Sequence, residues 1–343
     1  MFKISGERIA VIITGLLSLA MIVIITGFGL YFVNPAEKGG VDQIIIVQEG
    51  MSLKEVAGRL ESRGLIRNRT IFTFWTRLMG YGRQVKAGEY LLSSGMAPIK
   101  IMEILTRGVI ITYSVTIPEG FSIEQVGGML AEKGLVDKPQ FISIAREPQI
   151  LSKYGIVGPS LEGYLYPDTY QFGRGLSPVS IIDVMIKRFN EVVKPFMKRI
   201  EESGMTMEEV VTLASIVEKE TGSAEERPLI SSIFLNRIKK GMRLESDPTV
   251  IYGMDNFAGN LTRKDLSEST PYNTYMIRGL PPGPIANPGL ESIKAVLYPS
   301  ETDYLYFVSK NDGTHYFSRS LEEHNRAVRI YQKKQVVDLD GTL

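Results

Sequence analysis

The chain contains no cysteine. That absence excludes disulfides, thiol nucleophiles and thiolate metal sites. Histidine is almost as scarce, with only His315 and His324 present, too few for a histidine-rich metal centre. No nucleophile elbow accompanies them, which argues against a Ser–His hydrolase, and His315, near the end of a strand pattern, reads as a packed or solvated side chain. The net charge is only +1, so nothing resembles the basic footprint of a nucleic-acid partner. The residues imply neither a metal nor an organic cofactor.

What the sequence does contain begins with an uncharged run from Ile9 to Val33. At 1.5 Å per residue it reaches about 37 Å, enough to cross a bilayer core of about 30 Å with some tilt. It is longer than the apolar core of a signal peptide and has no clear small-residue cleavage site. We read it as a retained single-pass anchor. Lys3 and Arg8 precede it, so residues 1–8 are expected to stay in the cytoplasm and the chain after Val33 outside. Residues 34–43 begin with Asn34-Pro35-Ala36-Glu37-Lys38-Gly39-Gly40, a polar, breaker-rich linker.

An internal repeat follows. Ile44-Ile45-Ile46-Val47-Gln48 reads as a strand, and Ser52 as the cap of a helix carrying Val56 and Leu60. Seventy residues on, Val115-Thr116-Ile117-Pro118-Glu119-Gly120 precedes Ser122, Val126 and Leu130, and Gly64-Leu65 matches Gly134-Leu135. The offset then becomes 80: Tyr90 matches Tyr170, and Met96-Ala97-Pro98-Ile99 matches Leu176-Ser177-Pro178-Val179. We expect two copies of a small αβ module, near 44–108 and 114–190, the second carrying an insertion. Such a module can be a packing unit or a glycan binder of the LysM kind, and the pattern alone favours neither. The second copy adds Leu161-Glu162-Gly163-Tyr164-Leu165-Tyr166-Pro167-Asp168-Thr169-Tyr170, richer in tyrosine and acid than a spacer requires.

Thr206-Met207-Glu208-Glu209 has the form of a capping box, and a helix should run through Glu220. With Leu213 at zero on a 100° wheel, Val217 lies at about 40°, Val210 at about 60° and Ala214 at about 100°. Glu218 falls near 140° and Glu220 near −20°, one on each shoulder of the apolar face, with Lys219 pointing away. Desolvation there raises a carboxyl pKa, as a general acid requires; shoulder acids also serve purely structural networks. Projecting about 160° apart, the two cannot flank one glycosidic bond as a retaining pair.

Downstream features each have a plain reading. Asp247-Pro248 reads as a cap followed by a first-turn proline, the Gly/Pro segment 279–289 as a stiff turn region, and Asn236-Arg237 as a helix end. Asp303-Tyr304-Leu305-Tyr306-Phe307-Val308 reads as a strand, and Arg326, Arg329, Lys333 and Lys334 as the solvated face of a last helix.

As a set, these segments resemble the endolytic murein transglycosylases, the MltG or YceG-like family. The likeness rests on Leu161-Glu162-Gly163-Tyr164, Ala214-Ser215-Ile216-Val217-Glu218-Lys219-Glu220-Thr221, Ser246-Asp247-Pro248-Thr249-Val250-Ile251-Tyr252-Gly253, Tyr272-Asn273-Thr274-Tyr275 and Gly279-Leu280-Pro281-Pro282-Gly283. It implies an α+β chain: a transmembrane helix, a LysM-like αβ module over 44–113, and a mixed α/β catalytic domain over 114–343 into which the second repeat is merged. It implies endolytic cleavage of the β-1,4 MurNAc–GlcNAc bond of nascent peptidoglycan strands, leaving 1,6-anhydro ends and limiting strand length. The residue matching the family's catalytic glutamate is Glu218; the wheel alone does not choose between Glu218 and Glu220. Tyr166, Tyr252 and Tyr275 are then candidates to offer ring faces to sugars. Asn273 is a candidate to bind acetamido groups, and Glu162, Asp247 and Glu220 to give polar support. The expected partners are glycan strands, the bacterial cell (inner) membrane and peptidoglycan synthases such as penicillin-binding proteins, with the catalytic domain periplasmic or otherwise extracytoplasmic. The rival readings are a hydrolytic muramidase and a non-catalytic, membrane-anchored glycan-binding scaffold.

Overall fold

The structure is a computed structural model that describes residues 6–332 except Asp255 and Ala258. Lys3, Lys333 and Lys334 lie outside the described residues. The chain is mixed α/β and divides into two compact units, Met1–Tyr113 with Gln171–Ser177, and Ser114–Tyr170 with Pro178–Leu343.

In the first unit, the uncharged run folds as helix α1 (Gly6–Val33). Its Val11–Val33 segment is long and apolar enough to cross a membrane. Strand β1 (Asp42–Val47), helices α2 (Leu53–Ser62) and α3 (Arg69–Leu78), strand β2 (Gly88–Ser93) and helix α4 (Pro98–Arg107) follow. β1 and β2 pair antiparallel, with Ile45 opposite Tyr90, and alternate residues Ile45 and Val47 face a core made with Val56, Leu60, Phe72 and Leu105. Ser52 closes a capping box with Glu55 at the start of α2. Residues 34–40 are not a free linker. Arg67 donates to the carbonyls of Pro35 (2.7 Å) and Ala36 (3.4 Å), and Glu37 N–H to that of Ser94 (3.0 Å). Gly40 runs so close to this strand end that a Cβ would lie 2.2 Å from Gly95 N. Gln171–Ser177 joins this unit through Glu49, which donates its N–H to Gly175 O (2.9 Å) and accepts from Ser177 N–H (2.9 Å).

The chain passes into the second unit within strand β3 (Tyr113–Thr116) and leaves it again within the strand paired with β3, β4 (Thr169–Phe172). Between them lie α5 (Ile123–Glu132), α6 (Lys138–Ile144) and α7 (Pro148–Tyr154). This repeats the strand–helix–helix–strand order, with α7 in the longer stretch where the ten extra residues fall. Ser122 and Gln125 reproduce the capping box. Gly64 and Gly134 share a left-handed φ of 69° and 66°. Tyr90 and Tyr170 each donate to the carbonyl four residues earlier, Lys86 (2.7 Å) and Tyr166 (2.5 Å).

The remainder is α8 (Pro178–Val193), a 3₁₀ turn, α9 (Met197–Ser203), α10 (Met207–Glu220), α11 (Arg227–Lys239), α12 (Asp247–Tyr252), α13 (Arg263–Ser267), α14 (Leu290–Leu297), β5 (Tyr306–Ser309), β6 (His315–Ser318) and α15 (Leu321–Tyr331). α10 is the central element: Val210, Leu213, Ala214 and Val217 are fully buried, and α11 and α14 pack on it. Two local expectations need correction. The expected strand from Asp303 begins only at Tyr306, because Asn236 takes the Thr302 and Tyr304 carbonyls and Arg237 that of Leu305, so these carbonyls serve side chains. Those two residues therefore pin α11 to the C-terminal segment rather than merely ending it. His315 is the first residue of β6.

Candidate active site

The capping box of Thr206 and Glu209 starts α10, in which every residue from Val210 to Val217 is buried, the polar Thr212 and Ser215 included. The helix is thus enclosed on all sides and not only along the expected apolar stripe; Glu218 and Glu220 leave its last turn in different directions. Glu218 accepts a hydrogen bond from Gly289 N–H at 2.9 Å and faces Arg227 Nη2 at 3.4 Å. Both charged side chains are nearly buried, 6% and 11% exposed. Gly289 is the N-cap of α14 and Arg227 the first residue of α11, so two helix starts converge on one carboxylate, as helix dipoles favour. Arg227 Nε is buried without a hydrogen-bond partner, leaving a donor beside the acid. The start of α11 is itself fixed by Glu226, whose carboxylate accepts His315 N–H (2.8 Å) and meets His315 Nδ1 (2.6 Å).

Glu119, in the β3–α5 turn, completes this cluster. A Cβ on Gly289 would lie 1.9 Å from Glu119 Oε1, so Glu119 and Glu218 meet the same glycine. Burial first, then the charge of Glu218, raises the Glu119 carboxyl pKa. Tyr166, buried nearby, has its hydroxyl pKa raised by burial and then by Glu119. The sequence singled out neither Glu119, Arg227 nor Gly289 as site residues. Glu119 stood in the repeat motif and Gly289 in the Gly/Pro segment, but nothing in their spacing points to Glu218.

Glu220 turns the other way. It accepts the Ser246 hydroxyl, and burial pushes its pKa up to about 7. Asp247 accepts the Tyr275 hydroxyl at 2.7 Å. Ser246, not Asp247, is the N-cap residue of α12, with Pro248 at the second helical position. The cap is displaced by one residue because Ser246 extends toward Glu220 while Asp247 is already helical.

Glu162 forms a third cluster. It is buried, and its carboxylate accepts Ile123 N–H (3.1 Å), Asn287 Nδ2 (3.1 Å) and the Tyr252 hydroxyl (3.2 Å). Burial pushes its pKa up to about 8 against these donors. Asn287 also donates to Phe121 O (2.8 Å) and accepts from Leu165 N–H (2.9 Å). The Gly/Pro segment is thus a buried strap tying three stretches together, with Ile285 N–H bonded to Ser215 Oγ at 3.0 Å. Asn273 is fully buried. Its amide donates to the Asp265, Leu266 and Glu268 carbonyls and accepts Tyr275 N–H. It closes the end of α13, and no donor is left for an acetamido group.

An open groove of about 880 Å³ runs along this unit, lined by Gly120, Glu124, Arg146, Lys219, Tyr252 and Tyr272 among others. The Tyr252 and Tyr272 rings lie 4.8 Å apart, and Glu124 pairs with Arg146. Glu218 stands just behind the wall: a Cβ on Gly120 would be 3.5 Å from its Cγ. Absence of a side chain at Gly120 therefore leaves the acid close to the groove. Among the described residues no His, Asp or Glu cluster is placed as a metal-ligand set.

A nearly buried glutamate, an arginine, a second carboxyl and a helix-start N–H thus stand together beside an open groove, and carboxyl groups so placed are chemically able to transfer protons. The profile of the YceG-like family matches residues 45–330, and the chain belongs to that family. An endolytic murein transglycosylase of Bacillus subtilis (strain 168) is 32% identical over 321 residues, 89% of each chain. One from Streptococcus pneumoniae (serotype 2, strain D39) is 30% identical over 314 residues, 82% of this chain and 57% of the longer relative. The crystal structure of a YceG-like protein from Listeria monocytogenes superposes with a TM-score of 0.59 at 33% identity, covering 84% of this chain and all of that one.

Proposed function

We propose that this protein is an endolytic murein transglycosylase that cuts the β-1,4 bond between N-acetylmuramic acid and N-acetylglucosamine and leaves a 1,6-anhydro end. The relatives' names supply the substrate. The observation that carries the chemistry is the setting of Glu218, a carboxyl at the groove wall held by Gly289 N–H and Arg227.

Glu218 gives its proton to the glycosidic oxygen. As carboxylate it rests on the Gly289 N–H and the Arg227 guanidinium, then takes the proton of the muramyl C6 hydroxyl as that oxygen attacks C1. No water is consumed, and the acid is regenerated. Burial and then the charge of Glu218 raise the Glu119 carboxyl pKa, which disfavours both carboxyls being charged together beside Arg227. Tyr252 and Tyr272 present ring surface in the groove for sugar C–H faces. Glu162 acts through the Ile123 N–H and the Asn287 and Tyr252 side chains it holds, Glu220 through the Ser246 hydroxyl and Asp247 through the Tyr275 hydroxyl, and Tyr166 packs beside Glu119.

In this reading α1 anchors the chain in the bacterial cell membrane with Lys3 and Arg8 on the cytoplasmic side. The first module is LysM-like, as its strand–helix–helix–strand order supports, and residues 114–343 are the catalytic domain. Anchoring restricts cutting to young strands near the synthases that extrude them, which limits strand length. Glu119 is the one feature that favours the hydrolytic alternative, since hydrolysis needs a second carboxylate to activate water. Product mass separates the two, an anhydro end being one water lighter. Digestion of defined glycan strands by the wild type and Glu218→Gln tests the proposal. Anhydro ends from the wild type and none from the folded variant are expected, and normal release by Glu218→Gln would refute the assignment.

A further inference from the structure

We infer that α3 of the first unit lies in the membrane interface, with Phe74, Leu78 and Met79 against the headgroup-proximal part of the acyl chains and the arginines around them among anionic phospholipid headgroups. The inference rests on the reading of α1 as a membrane span.

Depth is the first argument. The apolar segment of α1 ends at Val33, and Phe28 lies about 7.5 Å of helical rise inside that end. The Phe28 ring is 6.4 Å from that of Phe74 on α3. Phe32 is 6.0 Å from both Phe72 and Trp75. The Tyr31 hydroxyl donates to the carbonyl of Asn68, the N-cap of α3, at 3.0 Å and accepts its N–H at 2.7 Å. These contacts hold α3 level with the last two turns of α1. An interfacial helix buries its apolar face to that same level, roughly 5–10 Å into the headgroup–acyl boundary.

The surface of α3 suits that position. Phe74 and Leu78, one turn apart on one face, are 57% and 64% exposed, and Met79 and Tyr81 continue the apolar surface. Contiguous apolar exposure of this kind marks a binding face. From Ser62 to Gly88 the chain has Arg63, Arg67, Arg69, Arg77, Arg83 and Lys86 and no acidic residue, although the whole protein is nearly neutral. That local excess complements an anionic lipid surface. Between α1 and α3 an open groove of about 260 Å³ is lined by Val23, Gly27, Phe28, Tyr31 and Ile71, apolar throughout except for one phenol, as an acyl chain requires.

The absence of cysteine makes the test direct. Single variants Phe74→Cys, Leu78→Cys, Ile22→Cys and Lys54→Cys of the full chain would be spin-labelled and reconstituted at high lipid dilution in vesicles of phosphatidylglycerol and phosphatidylethanolamine. Collision with oxygen and with a water-soluble nickel chelate gives each label's depth. Ile22 should report the bilayer centre and Lys54, on α2, water. Labels at 74 and 78 should favour oxygen over nickel, at a shallow depth. In the unmodified chain, the only tryptophan, Trp75, should be quenched more by lipids labelled near the headgroup than by those labelled at the tail end. Nickel access at 74 and 78 equal to that at Lys54, with Ile22 deep, would overturn the inference while leaving the anchor intact. An aqueous Ile22 would instead overturn the anchor reading. Spin–spin broadening at 78 would mean that a second copy covers this face, and would also overturn it.

Discussion

Replacing Gly289 by alanine is the most discriminating perturbation of the site. The backbone there has φ −76° and ψ 171°, open to any residue, so the change carries no conformational penalty of its own. Its effect comes from one methyl group, placed 1.9 Å from Glu119 Oε1 and 2.0 Å from Glu119 Cδ. The carboxyl must retreat by about 1.1 Å to reach even a 3.0 Å contact. Because it is the far end of a flexible side chain, it can swing away without unfolding the unit, and we expect less than about 1 kcal/mol of lost stability, in the range of substitutions that keep core packing. Activity is another matter. Misplacement by about 1 Å at a catalytic site costs on the order of 100-fold, or about 2.7 kcal/mol of transition-state stabilisation. The assay is the rate of anhydro-end formation on defined glycan strands, with thermal unfolding measured in parallel. Residues in contact give non-additive effects, so Gly289→Ala should add little once Glu119→Ala is present. Wild-type activity in Gly289→Ala, or losses that simply add in the double variant, would refute the role given to Glu119.

Other outcomes follow from the same geometry. Glu218→Gln should lower anhydro-end formation by about 10²–10⁴-fold, the usual contribution of a general acid–base, with an unchanged circular dichroism spectrum. Arg227→Gln removes the cation from a nearly buried pair and should destabilise the protein by about 3 kcal/mol in chemical denaturation; Glu119→Gln in the same chain should relieve part of that loss. Glu162 and Glu220 have folded pKa values raised to about 8 and about 7 from the usual 4.5. The folded state therefore holds more protons between these limits, and the stability they give is full below pH about 4.5 and is lost as pH rises through 7 and 8. The melting temperature should fall over that window, and Glu162→Gln should flatten the fall; a slope unaffected by that variant would contradict the buried neutral acid.

The parts of this fold that were legible in the sequence are those governed by local periodicity. The wheel of α10 placed Val210, Leu213, Ala214 and Val217 inward and sent Glu218 and Glu220 to opposite sides, as their separate partners Gly289 and Ser246 show. The caps at Ser52, Ser122 and Thr206 were equally readable because a capping box is complete within four residues. The site was not readable in this way. Glu119, Glu218, Arg227 and Gly289 come from four segments brought together by tertiary packing, and no period links them. Asn273 illustrates the complementary difficulty: an asparagine in a distinctive motif has the chemistry to bind a sugar, and only its burial against three carbonyls shows that its donors are already used. The hydrogen bonds of the stretch from Asn34 to Gly40 were not legible either, since backbone carbonyls that bond Arg67 leave no trace in side-chain polarity.

The strap around Asn287 also bears on the order in which the molecule can be assembled. Its side chain bonds partners 122, 125 and 166 residues earlier in the chain, and contacts of such separation slow folding because loop closure must precede them. During synthesis from the N-terminus, the stretches around Phe121, Glu162 and Glu218 are all made before the segment that joins them. Until residues 285–289 dock, Glu218 lacks the Gly289 N–H and Glu162 lacks the Asn287 amide. A partly made chain can therefore hold its anchor, its first module and α10 and still be inert. On the proposed mechanism, competence arrives with that closure, and such an enzyme would not begin to cut while it is still being built.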